Sequence, residues 1–534
     1  MTAAAASDTA ARFNVAHYLV DARVEEGAGD RVALLVGDRA LTYAEVQDQA
    51  NRVANLLRAL GVGMGQRVLV ALPDGVEVVA VFLGALKAGA VVALVSPELP
   101  APACAAHLAY TRARVLFADA ALAARAADEI GAAPDLDATV VVGDPCPLGR
   151  RVVPYGERVA AASPRFCNAD THADDEAVWF FSSGSTGQPL AAVHRHGDFP
   201  YHIERYARRI LEIGPRDTVL SASKLFFGYA TGMSLMFPFA AGARTVLFPE
   251  RATPEVLFAL AARHRPTILT TVPTITAKLV DAARAAAANP FAGVRVAVSA
   301  GEALPADLFQ RWKAAFGVEM LEGLGSVEMF HIFITNRAGD ARPGCLGRLV
   351  PGYEARLLGP DGTDVADGDI GTLWISGGSA ALRYEGDTAR TARTMVTRAG
   401  KAWVVTSDLL RRVDGYFFYE GRSDDMMKVS GAYVSPLEVE NVLLQHPAVA
   451  ECAVIGFEDE AGLIKPQAFI VTRTGGDGVP PAGDDALFDE LGRFARERLA
   501  GYKVPRRWER CAELPRNDRG KILRRLLRAP ASDR

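Results

Sequence analysis

Paired cysteines, long uncharged apolar runs, internal repeats and a large excess of either charge are all missing from this 534-residue sequence. The six cysteines, at 104, 146, 167, 345, 452 and 511, form no CxxC and no Cys/His pairing. A zinc site is therefore not expected, and the thiols read as the reduced cysteines of a cytoplasmic protein. A net charge of −4 gives no reason to expect nucleic acid or an anionic membrane as partner. The most membrane-like run, Val76 to Pro97, contains Glu77, Lys87 and two glycines, and it parses as a buried helix followed by a strand rather than a span. The start, MTAAAASDTAARF, lacks a basic segment ahead of a long apolar one, so a frayed terminus is expected there, not a signal peptide. The phosphate-loop pattern GxxxxGK[ST] is absent as well.

What remains is the composition of a soluble globular enzyme, half hydrophobic and 23% charged, in a chain too long for one core. Short Val/Leu-rich runs at 67–72, 91–97 and 114–119 alternate with helical stretches, which signals parallel sheet with covering helices. The alternation returns at 245–248, 266–273 and 294–305, with an Ala-rich helix at 276–288. From about 345 the strands are broken by Gly-Asp turns, which suggests a smaller, mainly antiparallel sheet. A charged knot at 419–436 punctuates the chain. Beyond it come a helix and a strand in PLEVENVLLQHPAVAECAVIGF, a strand in KPQAFIVTRTGG and a helix in ALFDELGRFARERL.

Four stretches carry candidate chemistry. In WFFSSGSTGQPLAAVH (179–194) a strand empties into Ser182, Ser183, Gly184, Ser185, Thr186 and Gly187, whose backbone N–H groups and hydroxyls can wrap phosphate oxygens. A plain linker fits that loop equally well. In LEGLGSVEMFHIF (321–333), Glu328 can hold Mg²⁺, which binds through one or two carboxylates plus phosphate oxygens, or it is a solvated side chain. In TSDLLRRVDGYFFYEGRSDD (406–425), Asp408 can take both hydroxyls of a ribose, and Arg422 can contact the same ribose or a phosphate. A surface salt bridge is the plainer reading. In LPRNDRGKILRRLL (514–527), Lys521 is either a solvated lysine or one that reaches into a distant cleft.

Taken in this order and spacing, the blocks resemble the adenylate-forming superfamily of acyl-CoA synthetases, aryl-acid CoA ligases, luciferases and peptide-synthetase adenylation domains. The likeness runs from LTYAEVQDQANRVANLLRALGVGMGQRV (41–68) to Lys521. Within it, SASKLFFGYATGMSLMFPFAAGA (221–243) and GLGSVEMFHIF (323–333) resemble the benzoate-CoA ligases. The resemblance implies an α/β fold: a large N-terminal domain (1–422) of two αβ-type subdomains plus a small antiparallel sheet or barrel, a hinge at 423–425 around Asp424, and a smaller, mobile α+β C-terminal domain (426–534).

It also implies a reaction. An aromatic acid, benzoate or a substituted benzoate, attacks the α-phosphate of ATP and expels pyrophosphate; the thiol of coenzyme A then displaces AMP from the acyl-adenylate. Both first reactants are anions, so cationic groups and Mg²⁺ must offset their repulsion and hold them in line. By motif, Lys521 bridges acid and ATP, Glu328 binds Mg²⁺, Asp408 and Arg422 serve the ribose, and the backbones of Gly301-Glu302-Ala303 and Glu322-Gly323-Leu324 frame the adenine. The loop 182–187 covers the outer phosphates, and Ser430 and Gly431 line the pantetheine path. The acid pocket is drawn from Phe226, Phe227, Tyr229, Gly301, Gly325, His331 and Ile334, with Gly325 expected to keep the pocket long; core packing is the alternative for the aromatics and for His331. The implied partners are small molecules, with no nucleic acid and no membrane; a homodimer is left open.

Three positions depart from the family pattern. The usual Pro-Lys-Gly is Pro189-Leu190-Ala191, the Thr before the Mg²⁺ Glu is Val327, and Thr-Gly-Asp is Thr406-Ser407-Asp408. The first two remove a charge and a donor from the phosphate region, each worth on the order of 1–3 kcal/mol of transition-state stabilisation. A catalytically weakened binder of nucleotide or acyl ligands is therefore a competing reading, as is an enzyme that loads a carrier-protein thiol, although no carrier domain is evident.

Overall fold

The computed structural model describes residues 12–144, 152–182, 188–283, 289–429, 432–460, 462–473, 483–516 and 522–528. Its described strands form two large sheets. In the first, Arg67–Ala71, Val91–Leu94, Val115–Asp119, Ala138–Val142, Val152–Pro154 and Glu176–Phe181 run parallel, and Ala191–Arg195 and then Arg383–Tyr384 add antiparallel at one edge. In the second, Thr218–Ser221, Arg244–Leu247, Ile268–Thr271, Val296–Ala300 and Met320–Gly325 are parallel, with Ile332–Thr335 antiparallel beside the last.

The strand runs read from the sequence are present, but the chain interleaves the sheets. Val32–Val36 and Arg39–Thr42 precede the whole first sheet yet join the edge of the second, where Leu34 lies beside Thr245. The helix Tyr43–Ala59 follows directly. It starts on a capping box, in which the Thr42 hydroxyl accepts from the Glu45 N–H and the Glu45 carboxylate accepts from the Thr42 N–H. It packs against Val76–Lys87, which in turn packs on the first sheet, so the main core draws side chains from both sheets.

Val76–Lys87 is buried along its length except at Glu77. Its one inward cation, Lys87, is matched by Asp21, whose carboxylate oxygens lie 2.5 and 2.6 Å from Nζ. Burial alone would raise the Asp21 pKa, but the Lys87 charge together with the hydrogen bonds from Lys87, Asn168 and Gln47 outweighs it and the net direction is down. Val76–Lys87 and Val91–Leu94 are the buried helix and strand expected of 76–97; among the described residues no helix is long and apolar enough to cross a membrane.

The stretch from 345 folds as expected into a curled antiparallel sheet of Glu354–Leu358, Ile370–Ser376, Lys401–Val413, Met395–Arg398 and Tyr416–Arg422. A smaller α+β unit follows: Val449–Glu458, Ile464–Thr472 and Arg507–Arg510 in one sheet, covered by the helices Pro436–Leu443 and Asp484–Arg496, with its own apolar core. The described cysteines, 104, 167, 345, 452 and 511, carry free thiols.

Candidate active site

The pairing of Asp408 with Arg422 is written into a hairpin. Asp414 and Gly415 both have positive φ, 51° and 79°, as a two-residue turn between right-twisted strands requires. That turn pairs Val413 with Tyr416 and, further along, Leu410 with Tyr419; a bulge then inserts Glu420, so that Asp408 faces Arg422 instead of Gly421. The Asp408 carboxylate is largely buried and accepts from the Tyr419 hydroxyl at 3.1 Å, with Arg422 Nη1 3.9 Å away. Asp424 is exposed and lies 3.4 Å from Arg422.

Glu328 sits on a single helical turn, Val327–Met329, whose carbonyls each have a different donor. His194 Nε2 donates to Val327 O at 2.7 Å, the Ala381 N–H to Glu328 O at 2.8 Å, and Ser379 Oγ to Met329 O at 2.9 Å. The next residue, Phe330, has φ 71° and ψ −53°, a conformation bulky residues avoid. It is held there by stacked and edge-on contacts to Phe180, Phe199 and Phe237. The Glu328 side chain accepts a short hydrogen bond from the Tyr384 hydroxyl through Oε1. Burial, and then the Glu328 charge, raise the tyrosine pKa, so the hydroxyl stays a donor. A half-buried carboxylate that has one oxygen engaged by Tyr384 and no further side-chain partner among the described residues fits Mg²⁺ that is otherwise held by phosphate and water.

The two segments expected at the adenine are joined to each other. The Glu322 carboxylate, deeply buried, accepts the Leu304 N–H at 2.8 Å. Burial pushes its pKa up to about 8, with the Leu304 bond acting in the opposite sense. The Glu322 carbonyl is already engaged by Asn336 N and Thr335 Oγ1, and Gly323 and Leu324 pair with Thr335 and Ile334. Gly301 has φ 93°, which favours glycine. Beside Ala303 and Glu322 lies a cleft of about 100 Å³, bordered by Tyr419 and by Leu437, Asn441 and Leu444 of the C-terminal unit. That unit also reaches across through Arg516, whose guanidinium lies 2.9 Å from Thr274 Oγ1, 3.8 Å from Glu302 and 2.9 Å from its own Glu451.

At the expected acid pocket, Phe227, Tyr229 and His331 form a continuous row. Ring centroids are 6.0 Å apart for the first pair and 5.4 Å for the second, and Gly301 borders Phe227. His331 is buried and donates from Nε2 to Tyr229 O at 3.0 Å, while Nδ1 has no partner among the described residues. Burial lowers its pKa to about 3, so the ring is neutral. Phe226 is half-buried against the main core and Ile334 is fully buried opposite Leu324. Gly325 is constrained differently from the expectation: a Cβ there would lie 2.6 Å from the His331 carbonyl oxygen and 2.8 Å from Ile332 N. A side chain would strike the neighbouring strand's backbone before it could shorten any pocket.

Of the phosphate loop, Ser182 is described, its N–H bonded to Leu190 O at 2.8 Å; Ser183, Gly184, Ser185, Thr186 and Gly187 lie outside the described residues, as do Ser430, Gly431 and Lys521. Tyr384, His194 and Ser379 were not read from the sequence. Tyr384 lies 56 positions from Glu328 and reaches it because Arg383–Tyr384 adds to Ala191–Arg195, with Tyr384 opposite Ala192.

Residues 20–385 match the family model described as AMP-binding enzyme, and residues 438–521 match the AMP-binding enzyme C-terminal domain. The chain belongs to the AMP-binding enzyme family. A relative from this family, the benzoate–CoA ligase of Thauera aromatica, is 41% identical over 97% of this chain and 96% of its own length. The 4-hydroxybenzoate–CoA/benzoate–CoA ligase of Rhodopseudomonas palustris is 39% identical over 97% of this chain and 94% of its own. Among solved AMP-binding enzymes, an anthranilate CoA ligase in complex with anthranoyl-AMP superposes with a TM-score of 0.90 at 36% identity, covering 98% of each chain.

Proposed function

We propose that this AMP-binding enzyme is an ATP-dependent ligase that joins benzoate or a substituted benzoate to coenzyme A through an aroyl-adenylate, releasing AMP and pyrophosphate. The observation that carries the reading is the likeness to a benzoate–CoA ligase over almost the full length of both chains. ATP, the acid and coenzyme A are its substrates and Mg²⁺ its cofactor. The free thiols suit the reducing cytoplasm.

The residues divide the work as follows. Asp408 accepts from the ribose hydroxyls, oriented by Tyr419 and Arg422. The loop 301–303, whose next residue Leu304 is held by Glu322, borders the base. The row Phe227, Tyr229 and His331 offers flat, apolar and uncharged walls that suit an aryl ring. Glu328 holds Mg²⁺, which when bound neutralises phosphate charge and draws the anionic reactants together. Lys521 bridges the acid carboxylate and ATP. Asp424, exposed at the junction, is the pivot of a hinge at 423–425 between the domain 1–422 and a C-terminal domain that moves between the two half-reactions. Ser430 and Gly431 border the path of the incoming thiol.

The purified chain is tested with ATP, Mg²⁺, coenzyme A and a panel of benzoates, with AMP and aroyl-CoA measured together. AMP released in equal amount to aroyl-CoA is the expected result. Absence of AMP with every acid, under conditions in which the Thauera aromatica enzyme turns over, contradicts the reading.

A further inference from the structure

The two apolar departures in the phosphate region, Leu190 and Val327, lie far apart in sequence but pack together. Leu190 is 9% exposed and forms a small apolar cluster with Ala192, Ala381 and Tyr384, against which Val327 and Met395 pack. Leu190 therefore covers Tyr384 rather than standing out as a lysine would. Tyr384 is the residue whose hydroxyl holds Glu328. The same short strand edge supplies the rest of the support: His194 takes the Val327 carbonyl and Ala381 the Glu328 carbonyl. The strained backbone at Phe330 closes the turn. Strain of that kind persists only where the surroundings over-determine it, and it concentrates at functional sites.

We propose that Leu190, Val327 and Tyr384 act as one brace that fixes the Glu328 carboxylate for its cation, and that the phosphate region of this chain is rebuilt around that brace rather than damaged. The proposal rests on the assignment of Glu328 to Mg²⁺ made above. Tyr384 is a positioning residue: it acts through Glu328. Leu190 and Val327 keep the tyrosine ring in place and water away from its hydrogen bond. A lysine put back at 190 would press an ammonium into apolar walls, and a threonine at 327 would add a hydroxyl to them. The pair is therefore one coupled unit, in which neither family residue is simply missing.

The test is calorimetric titration of Mn²⁺–ATP, with no acid present, into the wild-type chain and Tyr384→Phe. Tyr384→Phe keeps the ring and removes the donor; the expected result is about tenfold weaker Mn²⁺–ATP binding with metal-free ATP binding unchanged. Wild-type affinity in Tyr384→Phe overturns the brace. If Tyr384→Phe does not fold, Val327→Thr is read in the same titration, with weaker Mn²⁺–ATP binding expected and unchanged binding overturning the proposal. In the full reaction the double variant Leu190→Lys/Val327→Thr is expected to form adenylate no faster than wild type; a gain of tenfold or more overturns it. The two readings fail separately: a Tyr384→Phe titration shift in a chain that releases no AMP with any acid removes the ligase assignment and leaves the brace standing.

Discussion

Asp408 and Arg422 are register partners across one hairpin, brought opposite each other by a bulge at Glu420 and separated by 3.9 Å between Oδ1 and Nη1. A one-residue change in that bulge would put Gly421 where the arginine stands. Because Asp408 is the group assigned to the ribose, Asp408→Ala should raise the KM for ATP by about ten- to a hundred-fold, and Arg422→Lys by less, since lysine keeps the charge but loses the planar fork. Initial rates at varied ATP check this; an unchanged KM for Asp408→Ala removes the ribose assignment.

Glu322 gives a stability prediction with a sign. Its folded pKa, pushed up to about 8, lies above the ordinary glutamate value, so the folded state binds the proton more tightly than the unfolded one. Folding is therefore favoured by this group at low pH, and that contribution is lost as pH rises from about 4.3 through the folded value. Glu322→Gln removes the titration and keeps an oxygen for the Leu304 N–H. The Tm of the variant relative to wild type should climb between pH 5 and pH 9. A difference that stays constant or falls would contradict the assignment of that slope to Glu322.

Gly325 separates two accounts of one glycine. The close approach of the His331–Ile332 backbone makes even a methyl costly, so Gly325→Ala should lose about 2 kcal/mol or more of stability, read from the denaturant midpoint. If the variant instead keeps its midpoint and merely excludes larger acids, pocket length is the constraint after all.

Arg516 joins the C-terminal unit to Thr274 and Glu302. Arg516→Ala should slow adenylation, followed as pyrophosphate release, by about tenfold and spare thioester formation from supplied aroyl-adenylate and coenzyme A. Arg516→Lys should recover part of the loss. Equal effects on both half-reactions would show that the contact does not belong to the adenylating arrangement.

Much of this architecture is legible in the sequence because its signals are local. The Val/Leu runs and the helices between them follow from periodicity, and the antiparallel sheet from its Gly-Asp turns; the bulge that sets Asp408 opposite Arg422 was not read from the sequence. What could not be read is set by contacts distant along the chain. Nothing near Val32–Thr42 says that it joins the far sheet, and nothing near Tyr384 points to Glu328. The roles first considered for Gly325 and Leu190 treated each position by itself, whereas the structure constrains one through a neighbouring backbone and the other through a shared apolar cluster.

The central claim is tested most directly by incubating the purified chain with ATP, Mg²⁺, coenzyme A and benzoate and resolving the products by mass. The account predicts aroyl-CoA and AMP in equal amounts, with aroyl-adenylate accumulating when coenzyme A is left out. Release of ADP in place of AMP, or no adenylate with any benzoate tried, would contradict it.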